Sequence, residues 1–114
     1  MEEKNICTKD IGNQGEILAE KFLIQDGYKI LEKNYMCKMG EIDIIAEKDN
    51  VIHFVEVKTK RKSQNFIPAD SINSKKINHL RKTALRYIQS NENNGKEYCF
   101  DLIGIEVQHL ENII

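Results

Sequence analysis

The chain contains no tryptophan, one proline and three cysteines among its 114 residues. A low proline content together with 40% hydrophobic and 31% charged residues is typical of an ordinary folded domain and argues against a disordered chain. The cysteines lie far apart and are odd in number, which argues against a disulfide framework and a Cys-x-x-Cys zinc site: Cys7, Cys37 and Cys99. The histidines are equally scattered: His53, His79 and His109. We assign no chemistry to either set.

The chain also lacks a run of about 20 apolar residues that could span a membrane. Its first residues, Met1-Glu-Glu-Lys, lack the basic and then apolar order of a signal peptide. We therefore expect a cytoplasmic protein with no membrane contact and no small-molecule cofactor. A length of 114 residues is enough for one hydrophobic core, so we expect a single domain over residues 1–114, with residues 1–10 and 108–114 as loose ends.

Hydrophobic periodicity predicts the element order α-β-β-β-α-β, an α/β fold in which helices cover the faces of a mixed sheet. The expected bounds are a helix from about Asn13 to Asp26, strands over Tyr28–Tyr35, residues 40–48 and Val51–Thr59, a basic loop over Lys60–Ala69, a helix from about Asp70 to Gln89 and a strand over Tyr98–Val107. We expect the apolar face of the first helix to comprise Leu18, Ala19, Phe22 and Leu23. That of the second comprises Ile77, Leu80, Ala84, Tyr87 and Ile88.

Charged residues interrupt the two central strands, where a half-buried strand pair would normally avoid them. Alternation places Asp43 on one strand face and Ile42, Ile44 and Ala46 on the other. If Asp49-Asn50 form a two-residue turn, Lys48 pairs with Val51 and Asp43 lies opposite Glu56, with Cβ atoms ~5 Å apart. We expect at least one of these two carboxyls to have a raised pKa, mainly because of the other's charge.

Two carboxylates beside an ammonium group suit a Mg²⁺ site, with Mn²⁺ as an alternative ion. Lys58 supplies the ammonium, because it lies two residues after Glu56 on the same strand face. Such a site fits phosphodiester hydrolysis, in which the cation activates water and the lysine stabilises the developing charge. The alternative is an ion-paired network with a purely structural role.

The net charge of −1 hides a strongly uneven distribution. Residues 58–86 contain nine lysines or arginines and one acid, whereas the rest of the chain carries eight basic and 17 acidic residues. A basic segment that begins at Lys58 can supply phosphate contacts to nucleic acid. The candidate contacts are Lys60, Arg61, Lys62, Lys75, Lys76, Lys82 and Arg86. A merely solvated helix face is the alternative.

Two segments carry a family resemblance: Gly40-Glu-Ile-Asp43 and Phe54-Val-Glu-Val-Lys-Thr59. With further motifs over residues 12–105, they resemble the YraN-type family of small bacterial proteins, which is similar to archaeal Holliday junction resolvases within the PD-(D/E)XK nuclease superfamily. Those motifs are Gly12-x-x-Gly-Glu-x-x-Ala19, Gly27-Tyr28, Asn34-Tyr35, Lys76-x-x-x-Leu-x-x-x-Ala84-x-x-Tyr87 and Phe100-Asp101. The sequence departs from the family at Lys60, where arginine is common, and at Ile67, where glycine is common.

The resemblance implies a restriction-endonuclease-like core and a specific set of site residues. Asp43 and Glu56 correspond to metal ligands, Lys58 to the catalytic lysine and Glu16 to a further acidic residue near the metal. The implied activity is a Mg²⁺-dependent DNA endonuclease, with branched DNA such as Holliday junctions among its substrates and a homodimer as the active form. A non-catalytic nucleic-acid-binding module and a structural adaptor are the alternatives.

Overall fold

A computed structural model describes residues 2–61, 73–91 and 95–114, with side chains from residue 12 onward. These residues form, in chain order, α1 (Glu2–Gln25), β1 (Lys29–Cys37), β2 (Gly40–Lys48), β3 (Val51–Arg61), α2 (Ser74–Ser90) and β4 (Glu97–Val107). The predicted element order is therefore confirmed. Within the same residues, no helix is both long and apolar enough to cross a membrane.

The four strands form one mixed sheet in the order β1-β2-β3-β4. The first three are antiparallel neighbours, whereas β4 runs parallel to β3. Asp49 and Asn50 have φ values of 51° and 67°, as a type I′ turn requires of both central residues. Lys48 pairs with Val51, so the predicted hairpin register is confirmed.

The two helices pack on opposite faces of the sheet. On one face, Ala84 and Tyr87 of α2 pack in a core cluster with four residues of β2 and β3: Ile42, Ile45, Ile52 and Phe54. On the other face, Ala19 and Leu23 of α1 pack with Ile44, Ala46 and Val55. Each large apolar side chain buried in these clusters contributes about 1.5–3 kcal/mol relative to exposure.

Several predicted boundaries differ from the structure, including the end of β1, which lies at Cys37 and not at Tyr35. Helix α1 begins at Glu2 and so includes most of the segment predicted to be loose. Helix α2 begins at Ser74, not near residue 70, because the Asn73 side chain accepts a hydrogen bond from the Lys76 N–H and caps the helix. Strand β3 extends to Arg61, so the first two residues of the predicted basic loop are strand residues. The rest of that loop, including Ile67, lies outside the described residues.

The predicted apolar face of α1 includes two residues that are exposed in the structure. Leu18 and Phe22 are 55% and 60% exposed, whereas Ala19 and Leu23 are buried. The buried row continues to Gly15 at the same four-residue spacing. Small residues in this row let α1 lie close to the sheet, so a single row of side chains makes the contact. On α2, the predicted Ile77 is 37% exposed, and the buried row instead includes Thr83.

Replacing Gly15 by alanine is expected to destabilise the fold by about 1–3 kcal/mol, the usual cost of overpacking. A Cβ atom at Gly15 would overlap Oγ1 of Thr59 on β3, and a threonine side chain rotates away with difficulty. Gly12 is the matched control, since a Cβ there meets nothing within 4 Å. Gly12→Ala should leave stability equal or raise it by up to ~1 kcal/mol. Denaturant unfolding of both variants measures the difference, and equal stabilities would contradict the close approach.

Candidate active site

Strand β2 changes its orientation at Asp43. Ile42 packs on the α2 face, whereas Ile44 packs on the α1 face, although residues two apart in a regular strand share a face. The prediction that Ile42, Ile44 and Ala46 share one face is therefore wrong for Ile42. On β1, Asn34 lies between the residues paired with Ile44 and Ile42 and has a φ of 52°. Asparagine tolerates this left-handed conformation, and both strands twist locally beside Asp43.

This twist brings the Asp43 carboxylate to the edge of β3. The β2–β3 ladder runs from Lys48–Val51 to Ile44–Val55. Just beyond it, Asp43 Oδ2 accepts a hydrogen bond of 2.8 Å from the Val57 N–H, as a strand carbonyl would in a regular ladder. The Glu56 side chain lies close enough to Asp43 to raise the pKa of Asp43. The two carboxyls are therefore adjacent, as the hairpin register predicted.

The environment raises the pKa of Asp43 to about 7. Burial is the largest cause, the Val57 hydrogen bond opposes it, and the charges of Glu56 and Glu16 add to it. The expected raised pKa is thus found, but desolvation and not the neighbouring charge is its main cause. Ionisation of Asp43 in the folded protein is therefore costly.

Helix α1 brings a third carboxyl, that of Glu16, to this pair. Glu16 and Asp43 line one cavity of about 210 Å³ between α1 and the sheet. Burial raises the pKa of Glu16, and the charges of Glu41 and Glu56 raise it further. The close approach of α1 at neighbouring Gly15 sets this position. Three carboxyl groups therefore influence one another at one place on the sheet.

Two lysines supply positive charge near the acids. Lys58 is half-buried on β3, two residues after Glu56, so both side chains leave the same strand face. Lys76, in the first turn of α2, forms an ion pair with Glu56. Lys76 is also among the predicted nucleic-acid contacts, and that role stays a prediction. The structure holds Lys76 beside Glu56, because the Asn73 cap starts α2 there.

The other predicted nucleic-acid contacts form two groups in the described part of the chain. Lys75, Lys82 and Arg86 are exposed on α2, while Lys60 and Arg61 end β3 just beyond Lys58. Lys62 lies outside the described residues. The described members of this predicted set therefore lie on the two elements that also hold Glu56, Lys58 and Lys76.

The structure also brings together residues to which the sequence analysis assigned no chemistry. His53 on β3 pairs directly with Cys99 on β4, and Asp101 lies two residues further along β4. The His53 Nδ1 atom lies 2.7 Å from Asp101 Oδ2 and 3.0 Å from Cys99 Sγ. The alternation in Cys99-Phe-Asp101 was visible in the sequence, but the parallel register that places His53 beside it was not.

Comparison with known proteins agrees with the motifs. The model of the uncharacterised protein family UPF0102 matches residues 15–105. A UPF0102 protein of Sulfurihydrogenibium sp. is 51% identical over 98 residues, covering 82% of this chain and 84% of that protein. For a UPF0102 protein of Caldicellulosiruptor bescii the identity is 42% over 106 residues, covering 92% and 89%. For one of Clostridium botulinum it is 43% over 107 residues, covering 93% and 87%. The chain therefore belongs to the YraN-type family, the uncharacterised protein family UPF0102.

Proposed function

We propose that this protein is a metal-dependent DNA endonuclease of the PD-(D/E)XK type that hydrolyses phosphodiester bonds, with branched DNA among its substrates. The observation that supports this most is the raised pKa of Asp43, which results from burial and from the neighbouring carboxyls of Glu56 and Glu16. A carboxyl held where its ionisation is disfavoured is costly for stability. Such carboxyls occur where a cation or a proton transfer uses them.

The donor set fits Mg²⁺ or Mn²⁺. Both ions prefer oxygen ligands, and Mg²⁺ is commonly held by one or two carboxylates together with water and phosphate oxygens. Asp43 and Glu56 would hold the ion, and Glu16 lies near enough to complete its surroundings through water. The bound ion would neutralise phosphate charge and lower the pKa of a water molecule. A bound cation would lower the free-energy cost of ionising Asp43, and this gain would favour binding of the ion at this place.

The remaining polar residues have distinct roles in this proposal. Lys58 donates hydrogen bonds to the scissile phosphate and stabilises its developing charge, since its half-buried ammonium group leaves the same strand face as Glu56. Glu16 accepts a hydrogen bond from the attacking water and orients it. Lys76 forms an ion pair with Glu56 and holds this side chain in place.

DNA approaches from the basic elements. Lys75, Lys82 and Arg86 are exposed on α2, and exposed ammonium and guanidinium groups contact phosphates without regard to base sequence. Lys60 and Arg61 at the end of β3 add further positive charge, and Lys62 follows them in the sequence. Cutting both strands of a junction requires two active sites, so a homodimer with two-fold symmetry is the active form in this proposal.

One observation favours a second candidate function. Lys76 pairs with Glu56, and an internal ion pair at the candidate ligand is also expected of a non-catalytic module or an adaptor that keeps the nuclease fold. Cleavage separates the alternatives, because only the endonuclease needs Asp43 ionised together with a divalent cation.

The test is incubation of the purified protein with labelled four-way junctions, flaps, nicked duplexes and linear duplexes, in Mg²⁺, in Mn²⁺ and in chelator. We expect cleavage of at least one substrate with either ion, none in chelator, and a loss of on the order of a hundredfold to a thousandfold in Asp43→Asn. Asp49→Asn is the matched control, since Asp49 lies in the exposed turn of the same hairpin. No metal-dependent cleavage by the wild type, or undiminished cleavage by Asp43→Asn, would overturn the proposal.

A further inference from the structure

A second cluster of ligand-type side chains lies on the other face of β3 from Glu56. His53, Cys99 and Asp101 each offer one donor atom, and the three atoms lie within 4.8 Å of one another. The His53 Nδ1 atom lies 2.7 Å from Asp101 Oδ2 and 3.0 Å from Cys99 Sγ, and this sulfur lies 3.4 Å from the other carboxylate oxygen, Oδ1. All three residues are partly buried. Their donor atoms therefore converge on one point in a site with restricted access to solvent.

A catalytic Cys-His-Asp relay does not explain this geometry. In such a relay, one ring nitrogen of histidine faces the nucleophile and the other faces the carboxylate. Here Nδ1 of His53 faces both the Cys99 sulfur and the Asp101 carboxylate.

Convergence on a single point is instead the arrangement of metal ligands. We propose that His53, Cys99 and Asp101 form a second metal site, for a divalent ion of the zinc class, which links β4 to β3. Mixed sulfur, nitrogen and oxygen donors favour Zn²⁺ over Mg²⁺, which prefers oxygen alone. With Zn–ligand bonds of about 2.0–2.3 Å, tetrahedral donors lie roughly 3.4–3.6 Å apart. The His53 nitrogen needs to move away from the Asp101 oxygen and the Cys99 sulfur by only ~0.6–0.7 Å to reach these spacings.

The backbone already holds two of the ligands in register, because His53 and Cys99 are paired residues on the parallel strands β3 and β4. Asp101 follows Cys99 by two residues and so leaves the same face of β4. The Tyr28 ring packs edge-on against the His53 ring at a centroid distance of 4.9 Å and fixes its orientation. A water molecule would take the fourth position, since the three named side chains are the group found in the described part of the chain.

This site is separate from the carboxyl groups of Glu16, Asp43 and Glu56. His53 precedes Glu56 by three residues, which places them roughly 10 Å apart along the strand and on opposite faces. The zinc-class ion is therefore independent of the proposed nuclease ion, and each proposal can fail without the other. A role in holding β4 follows from the position of this strand at the edge of the sheet, beside β3 alone.

The test is titration of the full-length protein with Co²⁺, which replaces Zn²⁺ and reports a thiolate ligand through a sulfur-to-cobalt charge-transfer band in the near ultraviolet. We expect one Co²⁺ per chain with this band, displacement by Zn²⁺ and no displacement by excess Mg²⁺. Cys99→Ser should abolish the band, and His53→Gln should weaken Co²⁺ binding by more than roughly tenfold, the least that loss of even an outer-shell partner costs.

The control is the double variant Cys7→Ser/Cys37→Ser, in which Cys99 is the one remaining cysteine. It should keep the band at full intensity. Circular dichroism of each variant verifies the fold, and Zn²⁺ should raise the melting temperature of the wild type and of the double variant but not of Cys99→Ser. Absence of the band from the folded wild type, or its persistence in Cys99→Ser, would overturn the proposal.

Discussion

Replacing Lys58 by alanine is expected to lower the DNA cleavage rate by on the order of a hundredfold to a thousandfold, the usual loss for a group that stabilises transition-state charge. The position of Lys58 supports this expectation, because it is half-buried and leaves the same face of β3 as Glu56, two residues earlier. An ammonium group in a partly desolvated site interacts with a phosphate more strongly than one in water. DNA affinity should change little, since the exposed lysines and arginine of α2 provide contacts at a distance from the reaction.

Lys60 provides the matched control for this prediction. It lies two residues further along the same strand and is also partly buried, so Lys60→Ala removes the same type of side chain from the same face. We expect weaker binding, with the slope of log affinity against log salt reduced by about 0.9 for one lost duplex phosphate contact. At saturating DNA its cleavage rate should stay near that of the wild type. Equal rate losses in the two variants would contradict a catalytic role for Lys58.

In chelator at pH 8, Asp43→Asn is expected to melt several degrees above the wild type. A rise in the pKa of Asp43 from 3.8 to about 7 corresponds to a cost of about 4 kcal/mol in the free energy of folding when Asp43 is ionised. We expect about half of this cost to remain, because solvent screens the charge of a partly exposed carboxyl. Asparagine removes this cost while its side-chain oxygen still accepts from the Val57 N–H. Its amide group can also donate to Glu56.

The raised pKa of Asp43 also determines how the stability of the fold depends on pH. The folded protein keeps a proton on Asp43 that the unfolded chain releases near pH 4, so this group stabilises the fold below that pH and its contribution is lost as pH rises to about 7. The wild type and Asp43→Asn should therefore have similar melting temperatures near pH 4 and diverge up to pH 7–8. Thermal melting from pH 4 to 8 measures this divergence. Asp49→Asn should show none, and an asparagine variant less stable than the wild type at pH 8 would identify Asp43 as a structural partner.

The strands and the hairpin could be predicted from the sequence because their signals are local. Alternating apolar residues mark β2 and β3, and the adjacent residues Asp49 and Asn50 accept the positive φ values that fix the register. That register was sufficient to place Asp43 beside Glu56. The neighbours of a strand, by contrast, depend on the whole fold, which is why the pairing of His53 with Cys99 across parallel strands could not be predicted.

The helices were predicted less accurately for a related reason. Periodicity shows which residues can face a core but not how closely the helix approaches it. Gly15 brings α1 so near β3 that Leu18 and Phe22 remain exposed. Likewise, the charge of Lys76 suggested a nucleic-acid contact, and only the start of α2 at Ser74 shows that it reaches Glu56.

The irregular backbone beside Asp43 could not be predicted from the residues themselves. A left-handed asparagine at residue 34 and a change of face between Ile42 and Ile44 arise where two strands leave their regular ladder. Functional sites commonly lie at such irregular positions.

The central claim is that Asp43 and Glu56 hold a divalent cation, and calorimetric titration of the folded protein with Mg²⁺ and Mn²⁺ tests it most directly. We predict one ion per chain for the wild type, for Asp49→Asn and for His53→Gln, and binding lost from Asp43→Asn and from Glu56→Gln. At a hundred times its dissociation constant, the bound ion should add about 2.7 kcal/mol to the stability of the proteins that bind it. Failure of the wild type to bind either ion at millimolar concentration, or unchanged binding in Asp43→Asn, would contradict the claim.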